Sequence, residues 1–206
     1  MILDALFAAV YDPFMARVEA QGLGAWRTDL LGGLAGRVLE IGAGTGASLK
    51  HYPPGVDLTL LEPVPEMRAR LERRVAEHTI VVGHAEALPF DDSSFDVVVS
   101  CLVLCSVVDL SASLAEIHRV LRPDGRLVFI EHVGSGEPST RRAQQFLNPL
   151  WRVIGRGCHL CRDTEAAIEA AGFGEVRVDR SDLPGGAWVV KAAIHGVASK
   201  VRHGST

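Results

Sequence analysis

The chain has 206 residues, of which 48% are apolar and 22% charged, and its formal net charge is −4. That length holds one large domain with a full hydrophobic core, and the composition is that of a folded chain, not a disordered one. The mild acidity argues against a nucleic-acid binder driven by phosphate contacts, and no stretch approaches the ~18 apolar residues of a membrane span.

At the start, Ile2, Leu3, Leu6, Phe7, Val10 and Phe14 recur at three- and four-residue spacings. This predicts an amphipathic helix bent at Pro13, packed on the core or closing over a site as a lid. Its polar face is not rich in Lys or Arg, as a membrane-surface helix would require. "RVLEI" from Arg37 then predicts a buried strand, and "GASLKHY" a short helix ended by Pro53 and Pro54. "DLTLLE" predicts the second strand, "PEMRARLERRVAEH" a helix with a solvated charged face, "TIVVG" the third strand and "FDVVVSCLVL" the fourth. "SASLAEIHRVLRP" predicts a helix stopped by Pro123, with Asp124-Gly125 as the turn into a fifth strand, "GRLVFIEHV". Strands this apolar, separated by helices, indicate a parallel sheet covered on both faces.

The remainder changes character. "STRRAQQFLNPLWRVIG" and "RDTEAAIEAAGF" predict helices, and "EVRVDR" and "AWVVKAAIHGVAS" predict strands joined through Pro184-Gly185-Gly186. No repeat or linker divides the chain, so residues 1–206 read as one α/β domain. The four cysteines are Cys101, Cys105, Cys158 and Cys161. Without a signal-peptide pattern, reduced thiols and a cytoplasmic location are expected.

Gly42, Gly44 and Gly46 directly follow the first strand. Glycines there let the backbone approach a ligand closely. Gly42, Gly44 and Ala47 also fit the dinucleotide pattern G-x-G-x-x-G/A, so a nicotinamide cofactor, a nucleotide phosphate and S-adenosylmethionine all compete at this point. Glu40, two residues before Gly42, would repel a pyrophosphate and suits a cationic ammonium, directly or through water. Glu62 ends the second strand, where a carboxylate can accept both ribose hydroxyls. "GHAEALPF", Gly83 to Phe90, can line an adenine pocket.

The acid-glycine run from Glu40 to Gly46, Glu62, "GHAEALPFDDSSFDVVVS" and "EIHRVLRPDGRLVFIEH" together resemble a class I S-adenosylmethionine-dependent methyltransferase over Arg37 to Val133. The resemblance implies a Rossmann-like, seven-stranded, mostly parallel sheet of order 3-2-1-4-5-7-6, helices on both faces, S-adenosyl-L-methionine as cofactor and S-adenosyl-L-homocysteine as product. Further motifs, "HYPPG", "LEPVP", "CLVLCSV", "EHV" and "GCHLCRDTEAAIEAAGF", are similar to the small methyltransferase-like alkyl thiol methyltransferases of animal membranes. Those relatives carry an N-terminal apolar anchor that has no counterpart here, which implies an acceptor reached from the cytosol. His84 stands where their adenine-side motif carries an acid, leaving the backbone of Ala85 for that contact.

Carried over by residue, the resemblance gives Glu40, Gly42, Gly44 and Gly46 to the methionine-side loop, with contacts from Ala43 and Thr45. It gives Glu62 to the ribose, and Pro63 and Met67 to packing on the adenosine. Ala85 and Glu86 would lie near adenine, Cys101 would face the methionine portion, and Leu102 would shape the reaction chamber. The division implied is an N-terminal helical cap at 1–30, a cofactor-binding core at 37–133, acceptor-side helices at 139–172 and C-terminal strands at 173–206.

Methyl transfer asks for alignment, exclusion of water and a deprotonated acceptor, so an absent triad is no objection. A thiol acceptor, with a pKa near 8.5, needs only a modest shift to become thiolate. His132, ending the fifth strand, is the candidate base, with His159 second. Cys158, His159 and Cys161 are too crowded for a zinc site, so no metal is expected. Cys105 is a lesser candidate, as a nucleophile. Ser139 to Arg162, with Phe146, Trp151, Arg141, Arg142, Arg152 and Arg156, is the expected acceptor region. The function expected is methyl transfer to a lipophilic small molecule, a thiol first. Alternatives are a lipid amine, a quinone-like compound or a natural-product oxygen, nitrogen or carbon. Different in class are a nicotinamide-dependent oxidoreductase and a non-catalytic cofactor-binding protein. No nucleic-acid partner is expected, and the sequence does not set the oligomeric state.

Overall fold

The computed structural model describes residues 12–75 and 77–200. Five parallel strands and a final antiparallel pair form one seven-stranded sheet, in the order β3-β2-β1-β4-β5-β7-β6. They are β1 (Arg37–Ile41), β2 (Asp57–Leu61), β3 (Thr79–Val81), β4 (Phe95–Cys101), β5 (Leu121–His132), β6 (Glu175–Asp182) and β7 (Ala192–Ser199). The helices are α1 (Gly24–Leu31), α2 (Pro65–Glu72), α3 (Leu110–Val120), α4 (Pro138–Ile154) and α5 (Thr164–Ala170). The expected sheet order is the one found.

Alternation explains why the strands are apolar throughout. Successive side chains point to opposite faces of a strand. In β1, Val38 joins one apolar cluster and Leu39 and Ile41 the other; in β5, Val128 joins the first, and Leu127 and Phe129 the second. Both faces are therefore interior, as a parallel sheet requires. α3 lies on the Leu127 face: Asp109 caps it by accepting the Ala112 N–H at 3.0 Å, and Leu114, Ile117 and Val120 are buried against the sheet.

Several boundaries differ from the sequence reading. The predicted N-terminal helix falls mostly outside the described residues. Residues 12–18 are helical, and the break lies not at Pro13 but at Gly22, with φ 140°, inside the π-helical turn Glu19–Leu23. After the glycine loop the chain makes only a short 3-10 turn, Leu49–His51. α2 ends at Glu72, well short of the predicted span, and Arg74 turns back to donate to the Thr45 carbonyl at 2.9 Å. α3 stops before Pro123, because Leu121 already pairs with Phe95. The next pair is Val97 with Arg126, so the predicted Asp124-Gly125 turn is an outward loop within β5. The last predicted strand divides into a 3-10 turn, Trp188–Val190, and β7.

β1 sits between β2 and β4, so the chain leaves it toward β2 on one side and meets β4 on the other. This is the switch point of the sheet, where a crevice opens beyond the C-terminal strand ends. No helix among the described residues is long and apolar enough to cross a membrane.

The β6–β7 hairpin tolerates no side chain at its centre. A Cβ on Gly196 would stand 2.0 Å from the Arg177 carbonyl oxygen and 3.2 Å from the Phe129 ring. Gly196→Ala should lower the unfolding free energy by about 1–3 kcal/mol, read as a reduced urea midpoint. An unchanged midpoint would contradict this packing.

Candidate active site

The glycine loop follows β1 into the crevice. Gly42, Gly44 and Gly46 have φ of 57°, 58° and 87°, in the region that disfavours side chains. A Cβ on Gly42 would lie 2.6 Å from Val103 Cγ2. The loop is tied to β2 by the Ala43 N–H, which donates to the Leu61 carbonyl at 3.0 Å. Just beyond β2, Glu62 completes the tie. Its Oε2 accepts the Gly44 N–H at 2.7 Å, and its Oε1 accepts the Val64 N–H at 2.8 Å. Burial raises the Glu62 pKa, and the Val64 and Gly44 N–H bonds oppose that rise.

These residues wall a cavity of about 340 Å³. Gly42, Gly44, Glu62, Pro63 and Met67 form one side; His84, Ala85 and Glu86 form another; Leu102 and residues 106–108 close it. Glu86 lies at this wall with its Oε1 accepting the Val108 N–H at 2.7 Å. Gly155 and Arg156 also line the cavity.

The other expected cofactor residues stand apart from that wall. Glu40 is 2% exposed, and its oxygens accept from Ser48 Oγ at 2.6 Å and Tyr52 OH at 3.0 Å. Arg27 reaches the same cluster, donating to Ser48 Oγ and, at 2.9 Å, to Glu19 Oε1. Burial raises the Glu40 pKa, against the Ser48 bond and the Arg27 charge. Thr45 turns its hydroxyl to Asp12 Oδ1 at 2.6 Å, and Ala43 packs in the core. Cys101 is half-buried, and burial pushes its thiol pKa to about 12.

A second cavity of about 370 Å³ abuts the first, sharing Leu102, Ser106 and Gly155 with it. Its lining is mostly apolar and includes Phe14, Met15, Val18, Trp151, Ile154 and Leu183, while Cys105, Ser106, Cys158 and His132 are among its polar residues. His132 is 3% exposed; its Nδ1 lies 3.7 Å from Cys158 Sγ, and its Nε2 has no hydrogen-bond partner among the described residues. Of the residues expected on the acceptor side, Trp151 lines this cavity, whereas Phe146 points outward, 85% exposed. His159 lines neither cavity, and its backbone N–H donates to the Cys105 carbonyl at 2.9 Å.

The partition between the cavities is the loop after β4. Leu102 has φ 62°, a strained value for a leucine. Glu131, on β5 and fully buried, holds the loop in place. Its carboxylate accepts from Ser100 Oγ at 2.6 Å and from the N–H groups of Val103, Leu104 and Cys105 at 3.1, 3.0 and 3.1 Å. Arg162 grips the opposite polarity, donating to the Leu104 and Val107 carbonyls at 2.8 and 2.7 Å. Sequence reasoning passed over both residues. An acid inside the apolar run "LVFIEH" was the signal for Glu131; Arg162 carried none.

The comparisons with known proteins agree with this architecture. A family model described as "Methyltransferase domain" matches residues 39–129. The thiol S-methyltransferase TMT1A of Homo sapiens is 39% identical over 172 residues, covering 79% of this chain and 70% of the relative. TMT1B of Rattus norvegicus is 43% identical, covering 71% of this chain and 64% of the relative. The chain thus spans about two thirds of the length of these curated relatives. Among solved structures, a SAM-dependent methyltransferase from Thermotoga maritima superposes with a TM-score of 0.72 at 22% identity, covering 96% of this chain and 98% of the other. At that identity the likeness speaks for the fold alone.

Removing the Glu131 carboxylate strands one hydroxyl and three N–H groups in the interior. Glu131→Ala should cost roughly 3 kcal/mol or more, and Glu131→Gln, which keeps one acceptor oxygen, distinctly less. Guanidinium unfolding of both variants checks this; equal losses would contradict the bonding described.

Proposed function

The chain belongs to the class I S-adenosylmethionine-dependent methyltransferases, and on that footing we propose that it methylates a small, lipophilic thiol. The observation that carries the reading is the pair of abutting cavities, one walled by glycines and carboxylates, the other apolar with sulfur and imidazole at its end.

The first cavity fits the cofactor. At Gly42 a side chain would collide with Val103 of the partition. Each Glu62 oxygen spends one acceptor site on an N–H, and a carboxylate has about four in all, so two are left for the ribose hydroxyls. Pro63 and Met67 offer apolar surface to the adenosine, with Ala85 and Glu86 toward the base. Glu40 acts on the methionine end through its charge and through Ser48, which orders the loop; Ala43, Thr45 and Gly46 shape that loop, with Cys101 at the end of β4 and Leu102 just beyond it on the reaction side. When bound, S-adenosylmethionine supplies a methyl group on a sulfonium and leaves as S-adenosylhomocysteine.

The second cavity accounts for the acceptor. Its apolar walls select a lipophilic molecule and keep water from the reacting sulfur. His132 takes the acceptor proton at Nε2. Cys158 at Nδ1 fixes which nitrogen is free, as a second partner does for other catalytic histidines. With S-adenosylmethionine in the first cavity, the residues around the second would hold the acceptor thiolate away from water and close to the methyl group that the cofactor would supply. The thiol S-methyltransferase relatives support the choice of sulfur as acceptor atom, and we take that acceptor to come from the cytosol.

Two measurements test this reading. Calorimetry should show S-adenosylmethionine and S-adenosylhomocysteine binding and NADH failing, with Glu62→Ala weakening both sulfur ligands at least ~tenfold through lost charged hydrogen bonds. Tight NADH binding without a sulfur-ligand signal would refute the cofactor, and an unchanged Glu62→Ala affinity would refute the ribose contact. Single-turnover methylation of an alkyl thiol should slow in His132→Ala at neutral pH and recover much of its rate at high pH, where solvent supplies thiolate. Absence of thiol turnover in wild type would reject the acceptor, and superimposable pH profiles would reject the role of His132.

A further inference from the structure

Two thiols and an imidazole from three separate segments meet in the apolar cavity. Cys105 comes from the loop after β4, His132 from the end of β5 and Cys158 from the loop after α4, and all line the same space. The backbone bond from His159 N–H to the Cys105 carbonyl, 2.9 Å, joins the two cysteine segments. A Cβ on Gly157 would stand 2.8 Å from the Ser106 carbonyl oxygen, so the segments are in direct contact there too. Cys158 Sγ lies 3.7 Å from His132 Nδ1, and Cys105 Sγ lies 3.5 Å from Ser106 Oγ. The buried His132 Nε2, without a partner among the described residues, is a second sign of a site built for a ligand.

The two sulfurs are unlike. Cys105 is 2% exposed; the neighbouring Cys158, with burial, pushes its pKa well above the ordinary thiol range. Cys158 is half-buried, and the neighbouring Cys105, followed by His132, holds its pKa well below that range. The half-buried Cys158 sulfur, beside the His132 ring, is thus favoured as the thiolate that attacks, and the enclosed Cys105 sulfur as the thiol kept in the same cavity. That division of labour is the one thiol–disulfide exchange requires.

We infer that the cavity also accepts small apolar disulfides, which Cys158 attacks and Cys105 resolves, releasing thiols where the proposed methyl acceptor sits. In the first step the Cys158 thiolate forms a bond to one sulfur of R–S–S–R. The substrate S–S bond breaks, and R–S⁻ leaves. The proton of Cys105 passes to that thiolate. Cys105 then bonds to Cys158 Sγ and displaces the second R–S⁻. The substrate disulfide is reduced by two electrons, and the two protein thiols are oxidised to one disulfide. A small dithiol, itself oxidised to a disulfide, restores the pair. The chemistry needs no methyl donor and stands apart from the methyl-transfer reading.

The test uses the full chain, reduced, freed of reductant, held without oxygen and given dibutyl disulfide with no S-adenosylmethionine. Butanethiol should appear at about two per chain, and peptide mapping should find a Cys105–Cys158 disulfide. Cys105→Ser should release about one thiol per chain and keep a butylthio adduct on Cys158. Cys158→Ser should leave Cys105 unmodified. Wild-type mapping decides the matter alone if either variant fails to fold. Adducts confined to Cys101 or Cys161, a lasting Cys158 adduct in wild type, or no thiol release would overturn the proposal. Methyl transfer measured separately on the same preparation distinguishes this failure from failure of the methyltransferase reading.

Discussion

Everything at the centre of this protein depends on the Glu131 carboxylate. An acid buried in apolar surroundings is costly unless its oxygens are satisfied. Here one hydroxyl and three consecutive backbone N–H groups satisfy it. In return the acid fixes a loop that would otherwise have buried unpaired donors. Arg162 meets the loop's carbonyls from its other side, so donors and acceptors of the same few residues are held by opposite charges. The partition stays thin because it is backbone, with Leu102 held at a positive φ. Two cavities can therefore touch without merging.

The first cavity is built by the same economy. Glu62 bridges the glycine loop to the chain beyond β2, so one side chain sets the loop and faces the cavity. Glu40, by contrast, is enclosed with Ser48, Tyr52 and the Arg27 that also pairs with Glu19. It braces the chain after the glycine loop by accepting from Ser48 and Tyr52. The two acids share a motif in the sequence and divide in the structure into a wall and a foundation.

The fold was largely legible because the strand residues have no polar option. Val38, Leu39 and Ile41, or Val97 to Val99, are buried on both faces, and only a covered parallel sheet satisfies them. The glycine loop and Glu62 were legible because few other arrangements need glycine and acid at those spacings. Helix ends were less so. α2 stops early because Arg74 is recruited by the Thr45 carbonyl, a long-range bond no local pattern announces. Likewise, the expected turn after α3 was read correctly as a turn but misplaced, since Leu121 pairs across to Phe95 before it. Cys158 illustrates the same limit. The sequence offered its neighbour His159 as the second candidate base and Cys158 only as a poor zinc ligand, and only the fold puts Cys158 beside His132 and leaves His159 outside the cavity.

We propose that donor and acceptor occupy the two cavities separated by the loop after β4. The most direct test is a crystal structure with S-adenosylhomocysteine and a small aryl thiol bound together. Ribose hydroxyls should lie on Glu62, the thiol among Trp151, Cys158 and His132, and the two ligand sulfurs should approach each other past Leu102. S-adenosylhomocysteine bound instead in the separate cavity between Asp12, Thr45 and Arg74, or a thiol lodged away from His132, would contradict this arrangement.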